Sequence, residues 1–222
     1  MKKQTLAAAL LLGLACSNTA IAQKAAGTLT LQPKFGITFS NLTDADAYIP
    51  NFPTTIGHTT EIVLESKTKT GFVFGMEAEY QISKIFSVSG GALFSMQGCT
   101  YDKLAYNGTK VADLSVELNY ISIPLLANVY VAKGLAIKAG LQPSLCVHGK
   151  QKIDIINGTG MSVSEDIPDM NDIDFSIPIG ISYELGNIIV DARYNFGLTD
   201  IVKSENIKNR VLQLSLGYKF DI

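Results

Sequence analysis

Eight segments of the chain alternate apolar and polar residues, and this period of two constrains the fold more than any other feature of the sequence. The first segment, LTLQPKFGITFS at residues 29–40, keeps the alternation without interruption. Successive side chains of a β-strand point to opposite faces, so such a segment forms a strand with one apolar and one polar face. The seven later segments span residues 71–82, 86–96, 114–130, 135–147, 173–184, 188–196 and 212–222. None of them keeps a helical period for long. The sequence therefore predicts an all-β protein.

The connections between these segments alternate between short and long. Short connections lie near residues 83–84, 133–134 and 186–187, and the long ones span about 41–70, 97–113, 149–172 and 198–209. In an antiparallel up-and-down arrangement, every tight turn then lies at one end and every long loop at the other. This asymmetry is typical of closed transmembrane β-barrels, which have short periplasmic turns and long extracellular loops.

Eight strands are predicted for this barrel. A ten-stranded barrel is the alternative, because residues 61–65 and 152–156 also alternate. Those two stretches could add a hairpin or simply extend strands above a membrane.

Residues 1–22 have the parts of a cleaved secretory signal peptide. Lys2 and Lys3 precede a short apolar run at 6–15, and small residues stand at 20–22. Residues 23–222 then form a single barrel domain. Loss of the two lysines changes the formal net charge from −2 to −4, which gives a nucleic-acid partner no electrostatic support.

The polar face of the predicted strands is crowded with glycine and serine, for which the narrow interior of an eight-stranded barrel has room. Ten charged side chains share that face, four positive and six negative, as expected where buried charges must find partners. These predicted lumen charges are Lys34, Glu77, Glu79, Glu117, Lys138, Asp174, Glu184, Asp191, Arg193 and Lys219.

On every second strand, the last residue of the apolar face on the side of the short turns is a tyrosine. These tyrosines are Tyr80, Tyr130, Tyr183 and Tyr218. A phenol at one depth on alternate strands predicts a girdle at a membrane interface, because the ring is apolar and its hydroxyl is polar. These features favour an apolar face in contact with lipid over the alternative, a soluble periplasmic lipocalin-like barrel that binds a small apolar ligand.

Four prolines argue against this interpretation, because each removes a donor from a strand ladder. Pro33, Pro124, Pro143 and Pro178 lie within predicted strands. Either they mark bulges near the rims, or some strand limits are wrong.

Several segments resemble the PorT-like outer-membrane β-barrel proteins of Bacteroidetes-type Gram-negative bacteria, often labelled "porin family". The similar pieces are LNYISIPLLANVYV (118–131), GLAIKAGLQPSL (134–145), DFSIPIGISYEL (174–185), DARYNFGLTDI (191–201) and LQLSLGYKF (212–220). The resemblance implies an outer-membrane location, while the label itself implies no pore.

The last strand is similar to the recognition signal of the outer-membrane assembly machinery. Ser215, Gly217, Phe220 and Ile222 occupy the polar, glycine and two apolar positions of that signal. An alternating strand with a free edge can pair transiently with a strand of a folding catalyst.

No recognisable catalytic, cofactor or metal-binding motif is present. His58 and His148 lack a serine or carboxylate in a known arrangement, and the acidic segment at 165–174 lacks the spacing of a calcium loop. Cys99 and Cys146 are expected near the outer ends of strands that are not neighbours, so unpaired thiols are favoured over a disulfide.

The sequence therefore predicts a non-enzymatic protein of the Gram-negative outer membrane with a filled lumen. Its predicted role is structural or interactive, through the long loops. The predicted partners are outer-membrane lipid, the assembly machinery and an unidentified extracellular or envelope protein. A narrow channel or an envelope or secretion component remains a further alternative.

Overall fold

The computed structural model describes residues 24–43, 47–55, 58–64, 66–101, 104–106, 109–155, 162–167, 169–203 and 206–222. The predicted signal peptide at 1–22 lies outside this part of the chain. None of the described residues belongs to a helix that is long and apolar enough to cross a membrane.

The described residues form antiparallel β-strands, several of which are longer than the alternating segments that predicted them. In chain order they are β1 (Leu29–Leu42), β2 (Ala47–Thr55), β3 (His58–Leu64), β4 (Ser66–Ser83), β5 (Phe86–Tyr101), β6 (Leu104–Tyr106), β7 (Thr109–Ser122), β8 (Leu125–Ala132), β9 (Leu135–Ile155), β10 (Ser162–Asp166), β11 (Ile173–Leu185), β12 (Ile188–Gly197), β13 (Asn209–Tyr218) and β14 (Phe220–Asp221).

Pairing between the first and last long strands closes the sheet into a barrel. Around the ring, β1 pairs with β4, β4 with β5, β5 with β7 and β8, these with β9, and then β11, β12 and β13 follow in order. β13 returns to β1, where Leu216 lies opposite Phe35. Because β7 and β8 share one position, the described ring has eight positions, which confirms the predicted up-and-down barrel.

Proline explains why the fourth position of the ring is divided. β7 ends at Ser122 and β8 begins at Leu125, and Pro124 between them has no amide proton to donate. The neighbouring Ile123 amide still donates to the Pro143 carbonyl at 2.8 Å, so β9 continues past the gap. At Pro178, β11 keeps its pairing with β12 on one side, while its pairing with β9 is interrupted.

One end of the barrel, here called the turn end, carries the tight turns together with Lys24 and the C-terminal residues. Gly134 and Gly186 adopt positive φ angles of 74° and 63° in two of the short turns, a conformation that glycine adopts without steric cost. Lys24 forms an ion pair of 2.7 Å with Asp221, and the Ile222 amide donates to the Leu29 carbonyl.

The opposite end, here called the loop end, carries the remaining strands. β2 and β3 form a separate hairpin, and β6 and β10 pair with β7 and β9. The stretches that suggested ten strands therefore extend the barrel or form this hairpin, and they do not enlarge the ring.

The outer face of the ring is apolar and its interior is polar. Phe35 is 66% exposed and Leu141 is 58% exposed on the outside, whereas Gln32 and Arg193 inside are 0% and 1% exposed. A soluble ligand carrier requires the opposite arrangement, so the structure disfavours the lipocalin-like alternative.

The strand formed by β7 and β8 faces the other way from its predicted orientation. Even-numbered residues point inward from Leu114 to Tyr130, so Tyr130 is 6% exposed inside the ring and does not belong to an outer girdle. Glu117 points outward and lies 3.3 Å from Lys69, so the prediction that it is a lumen charge is wrong. Apolar Ile121, Ile123, Leu125, Val129 and Val131 occupy the outward positions towards the turn end, where lipid contact favours them.

Candidate functional site

Charged side chains fill the half of the lumen nearest the turn end in two adjoining groups. Both groups are built from alternate residues of neighbouring strands, because the inward parity of each strand brings its side chains into one interior. We call them the lower cluster (Glu79, Tyr130, Glu184 and Lys219) and the middle cluster (Lys34, Glu77, Lys138, Asp191 and Arg193).

The lower cluster joins two carboxylates through one ammonium group and one phenol. Lys219 Nζ lies 2.9 Å from Glu79 Oε2 and 2.5 Å from Glu184 Oε1. The Tyr130 hydroxyl lies 2.6 Å from an oxygen of each carboxylate. Gln32 and Ser87 also donate to Glu79, each at 2.6 Å. Lys219, Gln32 and Ser87 thus donate to the Glu79 carboxylate, and the single proton of the Tyr130 hydroxyl goes to either Glu79 or Glu184.

The middle cluster is centred on Arg193, whose guanidinium bridges two carboxylates. Its nitrogens lie 2.6 Å and 2.9 Å from the oxygens of Glu77, and 2.7 Å and 3.1 Å from those of Asp191. Lys34 lies 2.5 Å from Glu77 and 3.6 Å from Asp191, while Lys138 lies 3.1 Å from Asp191. Asp191 therefore contacts all three cations.

The two clusters carry opposite excess charges that cancel. The middle cluster has three cations and two carboxylates, which gives +1, and the lower cluster has one cation and two carboxylates, which gives −1. Their sum is zero across eight charged side chains. Buried ions are tolerated when their partners compensate the loss of hydration, and this balance meets that requirement.

A polar layer follows the middle cluster towards the loop end and surrounds a small cavity. The cavity has a volume of about 10 Å³, and it is lined by Gln97, Gln142, Ser144, Asp174, Ser176, Asn195, Asn209 and Val211. That is room for about one water molecule. Asp174 accepts from the Thr199 hydroxyl at 2.5 Å and from the Asn209 amide at 3.3 Å.

An apolar cap closes the lumen beyond this layer. It consists of inward side chains of the strands and a loop residue: Leu42, Cys99, Val116, Leu118, Tyr120 and Ile201. Met170, Val202 and other loop residues pack against it, and Met170 and Val202 form a β-bridge. Gly149 leaves space for Met170, since a Cβ there would lie 2.4 Å from the Met170 sulfur.

The cap was not identified from the sequence, although its residues belong to alternating segments. Leu114, Val116, Leu118 and Tyr120 have the apolar parity of β7, and the sequence assigned that parity to lipid. At the adjoining apolar residues Tyr120 and Ile121, the apolar side chains change from even-numbered to odd-numbered positions. This change was the sequence signal from which the cap could have been identified. Cys99 lies in the cap, and Cys146 packs against it, both as free thiols.

Nine of the ten predicted lumen charges lie in the interior, Glu117 being the exception. Of the predicted girdle, Tyr80 and Tyr218 are 47% and 43% exposed on the outer face, and Tyr183 is partly exposed there. Their contact with an interface stays a prediction.

The predicted assembly signal lies in a fully paired strand. Ser215 points inward and Phe220 outward, while β13 pairs with both β12 and β1. This pairing describes the folded barrel, so the role of Gly217 and Ile222 in assembly stays a prediction.

The remaining chemical candidates are scattered. The side chain of His58 lies outside the described residues, and His148 lies opposite Asn119 in β9. In the acidic segment, Glu165 and Asp166 are exposed on β10, whereas Asp174 is buried in the polar layer. The segment is thus not a uniform solvated loop.

Strands β7 and β9 continue together beyond the cap and form, with β6 and β10, a surface that we call the loop-end sheet. Ile153 lies opposite Leu114 on one side and Val163 on the other. Every residue of β10 is exposed. The Ser162 hydroxyl donates to Asp154 and lowers the pKa of that carboxyl.

Comparison with known proteins gives a family match over most of the chain. A family described as "Outer membrane protein beta-barrel domain" matches residues 21–203. No protein of curated function is similar enough to count as a match.

Three solved structures are among those to which the chain is similar. Ail of Yersinia pestis, solved with the heparin analogue sucrose octasulfate, is 15% identical, with 87% of this chain and 99% of that chain covered and a TM-score of 0.48. Neisserial surface protein A is 14% identical, with 86% of this chain and 97% of that chain covered and a TM-score of 0.45. OprG of Pseudomonas aeruginosa is 12% identical, with 88% of this chain and 98% of that chain covered and a TM-score of 0.41.

Proposed function

Because the chain belongs to the family of outer membrane proteins with a β-barrel domain, we propose that it is a filled, non-conducting barrel that acts through its loop-end sheet. The observation that carries the proposal is the interior, where two charged clusters, a polar layer and an apolar cap follow one another. A solute would have to displace buried ion pairs as well as the cap, and eight-stranded barrels have little more interior than their own side chains fill.

The loop-end sheet is the part of the barrel that is available for recognition. It projects from the end opposite the turns, which in outer-membrane barrels is the extracellular end. β9 is 21 residues long, whereas about 9 to 11 residues suffice to cross a bilayer in a tilted strand. The extra length holds a folded surface above the membrane, and such a surface supports a role in interaction and not in catalysis.

The partner is proposed to be an extracellular or envelope protein. The resemblance of residues 118–131 and 174–185 to PorT-like proteins supports a component of the cell envelope or of a secretion system. β10 has only β9 as a partner among the described strands, so its second edge offers free backbone groups for pairing with another chain.

Conductance measurements test the filled lumen directly. The purified barrel, inserted in planar bilayers, should give no stable openings, while an open general-diffusion porin inserted in parallel should give its usual steps. Steps of constant size that appear with this protein and increase in number with its concentration would refute the proposal.

Labelling of an introduced cysteine on intact cells tests which end is displayed. A cysteine at Ser164 in β10 should react with a membrane-impermeant maleimide, and one at Lys84 in a turn should react only after the outer membrane is permeabilised. The unaltered protein gives the background of Cys99 and Cys146. The opposite pattern of labelling would place the loop-end sheet in the periplasm and contradict its proposed role.

A further inference from the structure

The polar layer contains a buried negative charge that the ion pairs of the lumen do not compensate. The lower and middle clusters already sum to zero without Asp174. Asp174 is 7% exposed, and it forms no ion pair within the described part of the chain. Its hydrogen bonds come from neutral groups: the Thr199 hydroxyl, the Asn209 amide and the backbone amide of Phe175. A buried carboxylate without a counter-charge is costly, so this position calls for a cation or a proton.

Three neutral oxygens beside Asp174 also lack donors. Gln142 Oε1, Asn195 Oδ1 and Asn209 Oδ1 are buried without a hydrogen-bond partner, and all three residues line the same cavity as Asp174. Each of these residues is at least 97% buried. Unsatisfied buried acceptors destabilise a fold, so three of them on residues that line one cavity indicate a missing partner.

The orientation of Asn209 follows from its neighbours. Its Nδ2 donates to the Tyr120 hydroxyl at 3.2 Å and to Asp174 at 3.3 Å. Rotation of this amide by 180° would place its oxygen against the Asp174 carboxylate, so the oxygen remains the group without a partner.

We propose that this cavity binds a single monovalent cation of about the size of Na⁺. The ligands are the Asp174 carboxylate and the amide oxygens of Gln142, Asn195 and Asn209, a set of hard oxygens that suits a hard cation. One positive charge neutralises Asp174, whereas a divalent ion would leave an excess charge in the lumen. A water molecule could donate to only two of the acceptors, and it would leave the carboxylate uncompensated.

Sodium-23 NMR tests the site independently of the proposed function, because it measures neither conductance nor exposure at the cell surface. Folded barrel in detergent micelles should broaden the ²³Na signal in a saturable way. Asp174→Asn removes the charge but keeps the shape of the side chain, and it should abolish the saturable broadening. Asp166→Asn, which removes an exposed carboxylate on β10, is the matched control and should leave the broadening unchanged.

Thermal stability gives a second readout. Once the site is saturated, each tenfold increase in Na⁺ at constant ionic strength, with choline as the replaced ion, should raise the midpoint of heat modifiability by about 3 to 5 °C. Asp174→Asn should show no such dependence.

Two results would overturn the proposal. Wild-type protein without saturable broadening and without a sodium-dependent midpoint would mean that a proton or water neutralises the cavity. Displacement of Na⁺ by submillimolar Ca²⁺ would mean that the site is divalent. If Asp174→Asn does not fold, Asn195→Ser removes one amide oxygen, and it should weaken sodium binding several-fold in the folded barrel.

Discussion

The opposite excess charges of the two lumen clusters predict which side chain each cluster can lose. In the middle cluster, Asp191 is the only carboxylate that contacts Lys34, Lys138 and Arg193 together. Asp191→Asn would change the charge of this cluster from +1 to +2. Lys138→Met would change it to zero, and it would remove a single ion pair of 3.1 Å.

The expected magnitudes differ because removal of a needed partner leaves a buried charge uncompensated. Such a loss typically costs about 3 to 5 kcal/mol. Lys138→Met leaves Asp191 in contact with both Lys34 and Arg193, so it leaves no buried charge without a partner. We therefore expect Asp191→Asn to lower the free energy of unfolding by about 3 to 5 kcal/mol and Lys138→Met by less than about 1 kcal/mol.

The lower cluster should show the reverse rule for charge. It carries −1, so Glu184→Gln neutralises it, while Lys219→Met leaves two carboxylates with no cation. The lysine substitution should be the costly one here, again by about 3 to 5 kcal/mol, and the carboxylate substitution the mild one.

Urea unfolding of the four variants in lipid vesicles, followed by electrophoretic mobility without boiling, measures these free energies. Because the pairs are buried, the order of stabilities should not change between low and high salt. Two results would refute the charge balance described here. One is an equal loss of unfolding free energy for Asp191→Asn and Lys138→Met. The other is that removal of the anion costs more than removal of the cation in both clusters, or less in both.

Three further changes test local features of the barrel. Tyr130→Phe should cost about 1 to 3 kcal/mol in the same urea assay, because it removes the one proton that the hydroxyl donates to the buried carboxylate pair. A loss below about 0.5 kcal/mol would contradict the inward placement of this residue. Gly140→Ala should abolish the heat-modifiable band, since its Cβ would lie 1.9 Å from the Leu125 carbonyl oxygen; a normal band would show that the strands separate more freely. In an NMR pH series, the Asp154 carboxyl should show a pKa below its ordinary value, and Ser162→Ala should raise that pKa. The ionised carboxylate accepts this hydrogen bond, so the bond stabilises the loop-end sheet at any pH above the ordinary carboxyl pKa. This stabilisation is lost as the pH falls through the lowered pKa.

The strand order and the closure of the ring could be predicted from the sequence because alternation and loop length act locally. Residues 29–40 show one apolar face, and short connections such as 186–187 force antiparallel neighbours. Alternation also shows which parity of β1 and β13 faces outward, because a slip of one residue would move the apolar side chains to the other face.

The orientation of β7 and β8 could not be predicted because one strand passes through two environments. Towards the turn end, the outside contacts lipid and the outward residues such as Ile121 and Val129 are apolar. Towards the loop end, the outside is polar and the inside is the cap, so Leu118 is apolar on the inward face. Alternation alone shows that the faces differ, and it does not show where their surroundings change.

The grouping of charges also required the structure. Lys219 and Glu79 are 140 residues apart in sequence, and they meet inside the lumen from strands on either side of β1. Sequence parity places both inside, but strand tilt and register decide which carboxylate lies beside which cation.

Quenching of single tryptophans by brominated lipid tests the central claim, that the apolar outer face contacts acyl chains, most directly. The chain has no tryptophan of its own, so Phe35→Trp, Ile179→Trp and Tyr101→Trp each give one signal, and Tyr101 packs against the cap. Bromine in the acyl chains should quench the tryptophans at 35 and 179 strongly and the one at 101 little. Unquenched tryptophans at 35 and 179 in a folded, vesicle-bound protein would contradict the account.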